Sequence, residues 1–107
     1  MIQKEILKIG SSYYAVSYQE EFRNDDDTLL LGLILHDSKV VLICNKYCKQ
    51  TQLHTKFHEA THGIFNEYGI DGDENEIDLM GNAFYAFILD NPKFIKEILD
   101  FARKIKR

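Results

Sequence analysis

At 107 residues the chain is long enough for one hydrophobic core and too short for two. Its composition, 45% hydrophobic and 28% charged, is that of a folded domain and argues against disorder. A net charge of −4 gives no whole-chain reason to expect nucleic acid, and no apolar run is long enough to span a membrane.

The first half reads as strands. Residues 6–9 and 13–18 form short alternating or aromatic segments on either side of Gly10-Ser11-Ser12, a turn signal. After the polar loop at 23–27 come two apolar runs, 29–35 and 40–44, broken at His36-Asp37-Ser38. They predict a hairpin at the centre of a small antiparallel sheet. The second half reads as helices. Leu53, Phe57, Ala60, Ile64 and Tyr68 fall on one face of a helix over about 51–68, and Gly69 supplies its stop. A second helix runs from near Asp73 or Asn75 to Leu89, with Ile77, Gly81, Phe84 and Ile88 along its stripe. Asn91-Pro92 is a boundary, with Asn91 as N-cap and Pro92 in the first turn of a third helix. That helix is expected to bury Phe94, Ile98, Phe101 and Ile105. Strands over about 1–45 followed by helices over about 51–107 make one α+β domain.

Charge is unevenly placed. Residues 93–107 carry Lys93, Lys96, Arg103, Lys104, Lys106 and Arg107 against Glu97 and Asp100, a net +4, leaving −8 on the remainder. Basic residues near a helix C-terminus complement its dipole, and no aromatic interleaving or base-reading motif points to nucleic acid. The N-terminus lacks the apolar block and cleavage site of a signal peptide. Two cysteines, Cys44 and Cys48, are too few for a disulfide framework, so the cytoplasm is the expected compartment.

The chemistry concentrates in His58-Glu59-Ala60-Thr61-His62. Histidines at i and i+4 project from one helical face and can share a metal ion, with zinc the expected one. Glu59, between them, is placed to accept a proton from an attacking water, provided a third ligand comes from elsewhere. His54 extends the ladder to i, i+4, i+8 and reads mainly as a surface histidine, with a fourth ligand or a transition-state donor as the alternatives. Tyr85 reads as packing, with donation to an oxyanion as its alternative.

Taken with the strand hairpin and the run Asp78-Leu79-Met80-Gly81-Asn82-Ala83-Phe84-Tyr85, this helix resembles the small zinc metallopeptidase-like domains of the ImmA/IrrE type. The closing Asp90-Asn91-Pro92 is similar to the compact versions frequent in phage and prophage genomes. The resemblance covers roughly residues 29–95 and leaves the first strands unconstrained. It implies a third zinc ligand from the second helix, where the family pattern is Glu-x-x-Ala-Asn-x-Phe-Ala. Asp78 stands at that glutamate's position, with Gly81-Asn82 in place of Ala-Asn. Aspartate is an adequate ligand but one methylene shorter, so the two helices must approach more closely. Glu74, Asp78, Asn82 and Tyr85 share one helical face, whereas Glu76 points nearly opposite. Asp78 is therefore the first choice, Glu74 the reserve and Glu76 the last.

Other metal patterns fit less well. Cys44, Cys48, His58 and His62 superficially match a two-Cys, two-His finger, but the intervening loop is short and Cys44 ends an apolar strand. The run from Asp71 to Asn75 begins like a calcium loop, yet Glu76 holds the required glycine position and Asn82 the last ligand position. Phe65 and Tyr68 stand where a metzincin needs glycine and histidine. The expectation is a zinc-dependent metallopeptidase-like protein acting on a protein or peptide, with His58, His62 and Asp78 as ligands and Glu59 as general base. The rival is a zinc-stabilised regulatory or interaction module that cleaves nothing and engages a protein partner, because a chain this short has little surface for a substrate cleft. A third reading, DNA contact through the basic last helix, would show steep salt dependence.

Overall fold

The computed structural model describes residues 4–105. Four strands precede three helices: β1 (Glu5–Ile9), β2 (Ser12–Gln19), β3 (Gly32–Leu35), β4 (Val40–Cys44), α1 (Lys49–Glu67), α2 (Glu74–Asp90) and α3 (Pro92–Ile105). The α+β order expected from the sequence is the order found.

The sheet is mixed rather than wholly antiparallel. Its strand order is β1-β2-β4-β3, with β1–β2 and β3–β4 antiparallel and β2–β4 parallel. The hairpin of β3 and β4 forms as expected, but only β4 is central and β3 is an edge. Apolar alternation sets which face of a strand is buried; it carries no information on which neighbour the strand pairs with or in which direction. Gly10 turns β1 into β2 with φ +61°, a conformation that costs glycine little.

One sheet face packs under α1. Ile9, Tyr14, Val41 and Ile43 form the buried core, with Leu7, Val16, Ile34 and Ala60 against them. Tyr14 buries its ring completely while its hydroxyl donates to Glu67 on α1. The opposite face leaves Ile6, Tyr13 and Leu35 exposed. α1 ends where Gly69 takes φ +64° and the Ile70 amide donates to the Phe65 carbonyl. α2 begins with a reciprocal cap: the Asp73 carboxylate accepts from the Glu76 amide at 2.8 Å, and Glu76 accepts from the Asp73 amide at 3.2 Å.

Pro92 opens α3 as expected, yet the Asn91 side chain donates back to the Phe87 carbonyl of α2 instead of capping forward. The larger departure concerns burial. Phe94, Ile98, Phe101 and Ile105 are all exposed, and no residue of α3 is buried. The periodicity of an apolar stripe marks a surface fit for burial without specifying that the same chain covers it. Lys106 and Arg107 lie outside the described residues.

Candidate metal centre

His58 and His62 sit one turn apart on α1, with ring centroids 4.9 Å apart and planes at 66°. α2 crosses in front of them. Asp78 Oδ1 lies 3.3 Å from His58 Nε2 and 4.0 Å from His62 Nε2, and Glu74 Oε1 lies 3.2 Å from His62 Nε2. One donor atom from each of His58, His62, Glu74 and Asp78 falls within 4.8 Å of all the others. Ligands about 2.0 Å from a tetrahedral zinc stand about 3.3 Å apart, so the spacing suits a single ion.

Two observations bear on whether these residues fit a cation. Asp78 Oδ1 is buried and has no hydrogen-bond partner, an arrangement that is costly unless something positive faces it. His58 has its pKa lowered first by burial and then by the neighbouring His62, which favours the neutral imidazole that metals bind. Both the first-choice aspartate and the reserve glutamate therefore reach the histidines. Glu74 does so from the first residue of α2 with its side chain 70% exposed, whereas Asp78 is half-buried at 41%. Glu76 is spent on the helix cap.

The close helix approach that a short ligand requires is supplied by Gly81. A Cβ there would meet Thr61 Oγ1 at 3.1 Å and Thr61 Cβ at 3.4 Å. Thr61 is itself buried, its hydroxyl donating to the Phe57 carbonyl at 2.9 Å. Glycine at position 81 lets α2 sit close to α1, and the short side chain of Asp78 reaches His58 across that gap.

Glu59 points away from the solvent, with only 8% of its surface accessible. Burial, and then the negative charges of Glu74 and Asp78, push its carboxyl up to about 7, and the Ile34 backbone amide counteracts them. A carboxyl poised there can exchange protons near neutral pH. Its Oε2 lies 3.9 Å from His58 Nε2. Gly32 on edge strand β3 faces it, where a Cβ would come within 2.5 Å of Thr55 Cγ2 and 3.1 Å of Glu59 Cγ.

Two cavities meet at Gly32, His58 and Glu59. One of about 340 Å³ is lined by Leu29, Leu30 and Leu31 with His54, Thr55 and Asn82. The other, about 430 Å³, is lined by Asn24, His36, His62 and Glu74 among others. Sequence reasoning missed Gly32 and His36. A glycine inside an apolar strand run is a signal of close approach; a histidine in a polar break gives none. The apolar run from Leu29 also divides: only Gly32–Leu35 is strand, while Leu29 bridges to Arg23 and Leu29–Leu31 line the first cavity. His54 is exposed but held by α2. Its Nε2 lies 2.9 Å from Asn82 Oδ1, and its ring stacks on Tyr85 at 4.9 Å and 9°. Tyr85 therefore packs between His54 and Phe57 rather than facing Asp78. Cys44 is buried with its thiol on the Glu20 carbonyl, and Cys48 is the exposed residue just before α1; neither belongs to the histidine cluster.

Comparison with protein-family models, with characterised proteins and with solved structures finds no match.

Proposed function

We propose that the chain is a zinc-dependent metallopeptidase-like protein of the ImmA/IrrE kind. The observation that carries this reading is the convergence of His58, His62 and Asp78 from two helices beside a buried carboxyl, Glu59. His58, His62 and Asp78 would hold the ion. Zinc when bound supplies an acidified water and a polarised substrate carbonyl. Glu59 would serve as general base and then general acid, its carboxyl accepting a proton from the attacking water and passing it to the departing amine, so that both proton transfers would share one carboxyl. The cavity lined by Leu29, Leu30 and Leu31 accepts an apolar side chain of the substrate, and the cleft past His36 receives the chain on the other side. A cytoplasmic setting agrees with two cysteines that form no disulfide, and no helix among the described residues is long and apolar enough to cross a membrane.

The test is hydrolysis of a peptide library by the zinc-loaded protein, compared with Glu59→Gln. The expected result is cleavage that falls by at least about 100-fold in the variant, the usual scale for losing a general base, with zinc content unchanged. Cleavage that survives Glu59→Gln removes Glu59 from the mechanism.

Glu74 supports a second reading. Its carboxylate lies 3.2 Å from His62, and four protein ligands make a closed site of structural type. The protein would then be a zinc-stabilised module that binds a partner protein without cleaving it. Glu74→Gln separates the two: it weakens zinc binding if the site is closed, and leaves it intact if the fourth position belongs to water.

A further inference from the structure

The helical half of the molecule is left open. Phe57, Ile64, Phe65, Phe84, Phe87 and Ile88 line a groove of about 290 Å³ between α1 and α2. Phe87, at its end, meets Phe94 of α3 edge-on at 6.3 Å and 89°. The groove thus runs onto the apolar stripe of α3, where Phe94, Ile98, Phe101 and Ile105 recur at one-turn spacing and Phe101 is 63% exposed. Groove and stripe are suited to each other, but one chain cannot join them. α2 ends at Asp90 and α3 starts at Pro92, so Asn91 alone links them. Antiparallel helix pairs take about two to five linking residues, and proline at the helix start removes further freedom.

Area and charge indicate what fills the groove. A folded monomer of 12.5 kDa exposes about 6200 Å² of surface; this chain exposes 8183 Å². The excess is about 2000 Å², against about 800 Å² per partner in an ordinary stable interface. Its radius of gyration, 14.7 Å, likewise exceeds the about 13 Å expected for a compact chain of this length. Residues 93–107 carry +4 and the rest of the chain −8. A copy of α3 laid on a second acidic body is therefore attracted, whereas an anionic lipid surface that attracts α3 repels the body.

We infer that the chain forms a two-fold dimer in which α3 of each copy lays its apolar stripe into the α1–α2 groove of the other. The arrangement is reciprocal, so it closes at two copies. It does not depend on the metal centre.

Sedimentation equilibrium of the full chain across nanomolar to micromolar concentration is the test, with Phe101→Asp and, on the groove side, Phe84→Asp. The expected result is twice the chain mass for the wild type and a dissociation constant raised roughly 30-fold or more by either substitution. If a variant loses its far-ultraviolet circular dichroism, hydrogen exchange of the wild type on dilution decides instead: amides of 84–101 losing protection supports the interface, and unchanged protection overturns it. A monomer at all concentrations overturns the proposal, as does a dimer that both folded variants keep. A monomer that sediments with phosphatidylserine vesicles assigns the stripe to a lipid surface and overturns it too.

Discussion

Ser12, Tyr14 and Lys39 all reach the carboxylate of Glu67, the last residue of α1. Lys39 first, then Tyr14 and Ser12, pull its pKa from an ordinary 4.5 down to about 2. The ionised form is thus favoured more in the folded chain than in the unfolded one. Its contribution to stability is complete above about pH 4.5 and is lost as the pH falls through about 2. Thermal unfolding followed from pH 6 down to pH 2 should therefore show the wild type losing stability in that window. Glu67→Gln should be less stable at pH 6, with the difference closing by pH 2; a difference that persists there contradicts the assignment. Glu59 shows the reverse environment on the same helix, with burial raising its carboxyl to about 7. The His-Glu-x-x-His spacing made Glu59 legible in the sequence. Glu67 was not, because its three partners lie 28 to 55 residues away and no local pattern joins them.

At the scale of elements, the centre depends on how closely α1 and α2 cross. Gly81 against Thr61 sets that distance, and Asp78 is matched to it. Gly81→Ala should push α2 outward by a few tenths of an ångström and weaken zinc binding about tenfold, as changes just outside a metal's ligands do. Adding Asp78→Glu to that variant should recover most of the loss, because the longer side chain spans the wider gap. Competition with a chromophoric chelator measures both; a double variant weaker than Gly81→Ala alone would contradict the pairing of the two residues. The helices themselves were readable. Apolar spacing, Gly69 and Asn91-Pro92 set their limits, and the positions came within two residues. The partnering of strands was readable only in part: the β3–β4 hairpin was, and the place of β2 beside β4 was not. The parallel β2–β4 pair joins segments more than twenty residues apart, and each strand would show the same alternation in an antiparallel pair.

Over the whole molecule, the sequence carried the α+β order and singled out His58, His62, Glu74 and Asp78, which the fold brings together, and it misjudged α3. The stripe from Phe94 to Ile105 has the period of a buried helix, but Asn91 is too short a link for α3 to return to its own chain. Choosing between Asp78 and Glu74 was beyond the sequence for a different reason. Residues four apart on one helical face point the same way, and only the crossing of α2 over α1 decides which reaches the histidines. Both do, so the centre stands or falls with the ion. The most direct measurement is zinc binding by protein purified free of metal. One zinc per chain is expected, with affinity reduced more than about 100-fold by His58→Ala or Asp78→Asn and unchanged by Glu76→Gln, whose carboxylate only caps α2. No bound zinc, or binding that His58→Ala leaves intact, would contradict the account.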